Sequence, residues 1–179
     1  MKIKKASLVL AIGLTFIGGS SIAATKSTVP DWVLPNALVT PGVTNPAVTQ
    51  ANIKNNVCKA NWTSTVRPTV TYTNKLKTTQ MAGDYKYLQV KFGVAASSYE
   101  EDHLISLQLG GNPTDPKNLW PEPYAGNNAR KKDVVESALK RLVCAGTMKL
   151  SDAQKAILNW PVAYTKYVTA KDTADTSDN

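Results

Sequence analysis

The sequence predicts an α+β fold in which a strand–loop–strand unit runs straight into a long amphipathic helix, with additional helices around it and one disulfide. Three observations carry this. Two extended stretches, residues 99–109 and "NLWPEP" at 118–123, flank a loop "GGNPTDPK" that holds two glycines and two prolines. The next stretch, "GNNARKKDVVESALKRLVCAG", sets Val134, Val135, Ala138, Leu139, Leu142 and Val143 on one helical face. The two cysteines, Cys58 and Cys144, are even in number and lie 86 positions apart in a chain that opens like an exported protein.

That opening is residues 1–23. Lys2, Lys4 and Lys5 precede an apolar run from Ala6 to Ile17, and Ser21 and Ala23 sit at the spacing of a signal-peptidase site. The run is too short for a comfortable membrane span. The expectation is an exported protein, periplasmic or secreted, with no membrane association after the signal is removed. In an oxidising compartment Cys58 and Cys144 pair, with Cα atoms within about 7 Å.

Residues 24–44 carry prolines and no periodicity, and read as an extended arm on the domain surface. A single domain follows at 45–168, its strand–loop–strand–helix part at about 97–144. "ANIKNNVC" is a short helix or turn ending at Cys58. The stretch from Asn61 to Tyr72 is β-prone, and a helix follows over Thr73 to Met81, capped by Thr71 or Thr73. "KYLQVKF" alternates Tyr87, Gln89 and Lys91 with Leu88, Val90 and Phe92, which predicts a strand. The long helix takes Asn127 or Asn128 as its cap and Gly146 as its stop. In "SDAQKAILNW", Ser151 and Gln154 form a capping box and Pro161 follows the helix end. Residues 169–179 lack apolar content and read as a disordered tail.

Charge and composition narrow the chemistry. The formal net charge is +8, and removal of Lys2, Lys4 and Lys5 leaves 18 basic against 13 acidic residues, or +5. A mildly basic exported chain suits an anionic partner without specifying one. One histidine and two cysteines cannot supply the four ligands of a structural zinc site. No stretch reads as a helix-turn-helix or zinc finger.

The single histidine, His103, stands in "YEEDHLISLQLGG", directly behind Glu100, Glu101 and Asp102. A structural histidine needs one hydrogen-bond partner, whereas a metal site or a general base uses an acidic neighbourhood. Asn118 follows fifteen positions after His103, and Asn127 and Asn128 come nine and ten beyond that. The ordered series Asp-His, Gly-Gly, Asn-Leu-Trp-Pro and Asn-Ala-Arg resembles the HNH endonuclease family and its ββα-metal (His-Me finger) fold. The wider segments "NPAVTQANIKNNVC" and "TVRPTVTYTNKLK" look like an exported bacterial branch of that family, and the likeness covers roughly residues 45–160. The sequence departs from many HNH proteins at the third position, where asparagine replaces histidine.

The resemblance implies a metal-dependent endonuclease, a phosphodiester hydrolase of low sequence specificity, acting on DNA, with RNA as the alternative substrate. It implies one divalent cation, Mg²⁺ first, with Mn²⁺, Zn²⁺ and Ni²⁺ as alternatives. Asp102 gives such an ion an anionic oxygen, and Asn127 or Asn128 a neutral one. His103, next along the strand, points to the side opposite Asp102 and activates water as general base. Asn118 braces the loop and orients His103. Arg130, Lys131 and Lys132, in the first turns of the helix, are expected to contact phosphates, with Arg67 from the upstream segment joining them. Glu100 shares strand parity with Asp102 and supports it; Glu101 falls on a solvated edge. Trp62, Trp120 and Trp160 read as core residues. Two other readings compete: a catalytically silent binding module for nucleic acid or another polyanion, and a surface protein that binds a protein partner.

Overall fold

A computed structural model describes residues 32–174. The expected signal at residues 1–23, residues 24–31 of the arm and residues 175–179 of the tail lie outside the described residues. Among those described, the chain is mixed helix with one two-stranded antiparallel sheet and one disulfide, in keeping with the α+β expectation.

A 3₁₀ turn at Gln50–Asn55 leads to α1 (Trp62–Val66), α2 (Val70–Ala82) and α3 (Leu88–Phe92). Strand β1 (Tyr99–His103) and strand β2 (Leu119–Pro123) pair in the register Tyr99↔Pro123 through His103↔Leu119. Between them come 3₁₀ turns at Leu107–Leu109 and Pro116–Asn118. Pro121 and Pro123 are tolerated because β2 has a single strand neighbour and can leave one edge without donors. Helices α4 (Asn128–Cys144), α5 (Leu150–Ile157), α6 (Trp160–Tyr167) and α7 (Ala170–Ala174) complete the fold.

The sheet has α2 against both strands and α4 against β2. Two buried clusters result. Val135, Leu139 and Val143 of α4 meet Ile105, Leu109, Leu150, Ile157 and Trp160 in the larger one. Met81, Tyr85, Leu88, Tyr99, Leu104 and Trp120 form the smaller one on the α2 side. Trp120 and Trp160 are fully buried, and Trp62 packs at the edge of the larger cluster.

Several local expectations are corrected. "KYLQVKF" is not a strand but contains α3. Its alternation does not track burial: Leu88 is buried while Val90 is 93 % exposed. Leu88 and Phe92, four apart, both face the smaller cluster, and Gln89 donates to the Met81 carbonyl at 2.6 Å. The β-prone stretch before Tyr72 is helical as well: α2 starts at Val70, and Thr69, not Thr71 or Thr73, caps it by accepting from the Tyr72 N–H. Ser151 and Gln154 form no capping box. Gln154 donates instead to the Leu109 carbonyl, and the Leu150 N–H is met by the Gln50 side chain 100 positions away. Pro161 lies in the first turn of α6, where its missing N–H costs nothing.

The described part of the arm, residues 32–44, runs along the surface and is anchored to the core at several points. Trp32 stacks on Trp160 at 5.1 Å, and buried Thr40 accepts from the Tyr85 hydroxyl. Thr44 bridges Gly111, and the backbone of residues 42–45 bonds to Lys117, Asn112 and Gly110. The tail is ordered further than its composition predicts, since Asp172 clasps Arg141 through two bonds of 2.9 Å.

Cys58 and Cys144 are bonded with a Cα separation of 5.5 Å, tying the N-terminal segment to the end of α4. Closing an 86-residue separation restricts the unfolded chain by about 4 kcal/mol. Reduction of the disulfide is therefore expected to lower the unfolding free energy in urea by roughly that amount. A loss below about 1 kcal/mol would show that the bond constrains little.

Candidate functional site

The loop between the strands is held from inside by one amide. Asn118 is fully buried; its Oδ1 accepts from the N–H groups of Ile105 (2.9 Å) and Val43 (3.2 Å). Its Nδ2 donates to the carbonyls of Ile105 (3.0 Å) and Asn112 (2.9 Å). The Gly-Gly pair makes room for this closure. A Cβ on Gly111 would lie 1.6 Å from the Ile105 carbonyl oxygen, and Gly110 has φ +72 with Val48 2.5 Å from its Cβ position.

At the mouth of the loop sits His103, 5 % exposed. Its Nε2 lies 3.0 Å from the Pro113 carbonyl oxygen. A carbonyl can only accept, so the neutral ring carries its proton on Nε2 and keeps a lone pair on Nδ1. Burial pushes the imidazole pKa below its ordinary 6.5, with Asp102 opposing the shift in part. The ring is therefore neutral at pH 7, the state a proton acceptor requires.

His103 and Asp102 both line a cleft of about 230 Å³. Strand alternation sends them to opposite sides, yet His103 is the last residue of β1, and the turn after it lets both face one opening. Arg67, at the end of α1, and Arg130, in the first turn of α4, line the same cleft. Arg130 is an exposed guanidinium over the Tyr124 ring, 3.5 Å from Asp133. Two of the four basic residues singled out are thus brought to the histidine.

The other two are not. Lys131 projects over the Trp32 ring, 5.4 Å from its centre, and packs on the arm. Lys132 is corrected outright: its side chain is 0 % exposed and cannot reach a phosphate in solution. Its Nζ donates to Asp102 Oδ2 (2.5 Å), Glu136 Oε1 (2.6 Å) and the His103 carbonyl (2.8 Å). Burial alone would strip that proton, but Asp102, Glu136 and Glu122 outweigh it and hold the lysine well above its usual range. Asp102 in turn stays below the usual carboxylate range: burial raises it, and the adjacent ammonium more than offsets this. The acidic cluster thus has an internal counter-charge, which its sequence neighbourhood did not disclose.

The remaining acids are strained by burial. Glu122, fully buried opposite Glu100, is pushed well above its usual range by burial and by Asp102, and it turns its carboxyl to Asp102. Glu100, which lines the cleft, and Glu136 are both pushed up to about 7, mainly by burial. Glu101 is not on a solvated edge. Both its carboxylate oxygens are buried without a hydrogen-bond partner, and burial, then Asp102, push it up to about 8. A raised carboxyl contributes stability that is full below its unfolded value near 4.5 and is lost as pH rises through the folded value of about 8. Glu101→Gln is accordingly expected to raise Tm at pH 9 and to change it little at pH 5. Equal shifts at both pH values would contradict this account.

Asn128 is corrected as well. It is fully buried and outside the cleft lining. Its Oδ1 accepts from the Val33 N–H at 2.9 Å and its Nδ2 donates to the Ala125 carbonyl. It fastens the arm to the start of α4. The Asn127 side chain lies outside the described residues, while its backbone ends the 3₁₀ turn Ala125–Asn127 that precedes α4.

Lys132 holds Asp102 Oδ2, the Glu122 carboxyl faces the same carboxylate, and the backbone of Asn127 ends the turn just before α4. Among the described residues no group of three His, Cys, Asp or Glu is placed to hold a metal. No helix among them is long and apolar enough to cross a membrane. Residues that the sequence reading missed include Pro113, whose carbonyl sets the histidine tautomer, and Glu122. The cleft wall also includes Thr63, Ser106 and Gln108. Comparison of the chain with protein-family models, with curated proteins and with solved structures found no match.

Proposed function

We propose that the chain is an exported endonuclease of the HNH, ββα-metal class that hydrolyses phosphodiester bonds of DNA with low sequence specificity, with RNA as the alternative substrate. The observation that carries this reading is His103: a neutral imidazole, its tautomer set by the Pro113 carbonyl, in a polar cleft with Arg67 and Arg130. The hairpin followed by α4, and the series of motif residues along it, support the class.

In this mechanism the phosphate lies between Arg67 and Arg130, whose guanidinium groups match its oxygens. Nδ1 of His103 takes a proton from water as the water oxygen bonds to phosphorus. The Pro113 carbonyl steadies the imidazolium that results. The bond from phosphorus to the departing ester oxygen then breaks, and that oxygen needs a proton or a cation. A divalent ion, Mg²⁺ first and Mn²⁺, Zn²⁺ or Ni²⁺ otherwise, would be held by Asp102 and Asn127 and supplies that positive charge when bound. Asp102 keeps a lowered pKa and so remains an anionic oxygen donor at neutral pH.

The test is nicking of supercoiled plasmid by the mature protein, with and without EDTA, over the four ions. Cleavage that chelation removes supports the proposal. A second reading, a silent polyanion-binding module, draws on Lys132 filling one oxygen of Asp102. It predicts salt-dependent DNA binding without cleavage under every ion.

A further inference from the structure

We propose that Lys132 is the positioning residue of this site, an internal cation standing where a divalent ion would otherwise bridge Asp102 and Glu136. The inference rests on the endonuclease reading for its catalytic meaning, and its test does not depend on cleavage.

The geometry is that of a cation site filled by the chain itself. An ammonium has three N–H donors, and those of Lys132 meet three oxygens: Asp102 Oδ2, Glu136 Oε1 and the His103 carbonyl. Two carboxylates and a carbonyl are also the oxygen donors that a hard divalent ion prefers. The lysine reaches them from within, since Glu136 is one turn further along α4 and the other two acceptors end β1. Its side chain is 0 % exposed, so it does not touch substrate. Its effect passes through Asp102, whose Oδ2 the ammonium holds while the Glu122 carboxyl faces the same carboxylate. The same donor set pins the backbone of His103 to α4. A guanidinium is planar and larger, and would not reproduce this three-way contact.

The test compares Mn²⁺ binding by calorimetry in the wild type and in Lys132→Met, which keeps an unbranched side chain, one atom shorter, and removes the charge. With the ammonium gone, Asp102 Oδ2 and Glu136 Oε1 are released. Lys132→Met is expected to bind Mn²⁺ at least about tenfold tighter than wild type and to gain Tm on its addition. Lys132→Met/Glu136→Gln is expected to lose that gain. A folded Lys132→Met whose Mn²⁺ affinity and Tm response equal those of wild type overturns the proposal and leaves a lysine that only packs. Should Lys132→Met fail to fold, Glu136→Gln alone decides. Mn²⁺ affinity within about twofold of wild type upholds the proposal, because Glu136 then faces the lysine and not an ion. A loss of about tenfold or more overturns it by placing an ion between the two acids. Failure of the wild type to cleave DNA would count against the endonuclease reading and leave this comparison intact.

Discussion

Single-turnover cleavage by His103→Ala is expected to fall by a factor of about 10² to 10⁴, the usual contribution of a positioned general base. The reason is local. The Pro113 carbonyl fixes the proton on Nε2, so Nδ1 is the basic atom, and alanine removes it while leaving Asp102 bonded to Lys132. Mn²⁺ and DNA binding should persist. Wild-type activity should decline as pH falls through the imidazole pKa, which lies below 6.5 because burial disfavours the charged ring. The same lowered pKa contributes stability that is full above 6.5 and is lost as pH falls through the folded value. His103→Ala should lack that acid dependence in its melting curve. A packed structural histidine predicts a different pattern: activity would fall only as far as unfolding explains. A His103→Ala protein that melts cooperatively and cleaves at the wild-type rate would remove His103 from the mechanism.

Of the substitutions, Asn118→Ala is expected to cost the most stability, on the order of 4 kcal/mol, with Tm lower by about 10 °C. Alanine leaves the Ile105 and Val43 N–H groups and the Ile105 and Asn112 carbonyls without partners. Unmet buried groups cost about 1 to 3 kcal/mol each, and water at the part-buried Val43 and Asn112 ends recovers some of this. Asn118→Asp keeps the acceptor and sets a carboxylate against two carbonyls. It should be about as damaging at pH 7 and less so at pH 4, where a protonated acid regains one donor. Urea melts of both variants at the two pH values check this. A change below about 1 kcal/mol for Asn118→Ala would show that the loop holds its shape without the amide.

Much of the arrangement was legible because it depends on residues close in sequence. Turn chemistry at Gly110 and Gly111, the apolar face of α4 and the even cysteine count each have a local or combinatorial cause. They marked the hairpin, the helix and the Cys58–Cys144 bond. α3 was misread because alternating apolar residues predict a strand only when one parity is buried, and Val90 is exposed. The anchoring of the arm was not legible because its partners lie far along the chain, such as Asn128 for Val33 and Trp160 for Trp32.

The sequence by itself determined the order of strand, loop, strand and helix, the placing of one imidazole beside one acid, and an amide positioned to close the loop. Tertiary structure alone decided the charges. Lys132 read as a phosphate contact because its neighbours Arg130 and Lys131 are basic. Helical phase held a fainter signal, since Lys132, Val135, Leu139 and Val143 follow one another at three- and four-residue steps and all are buried. A charge is kept in such a stripe only where acceptors from elsewhere surround it, because desolvation otherwise outweighs every local preference. Those acceptors come from β1 and from one turn further along α4, and their convergence is a property of the folded chain.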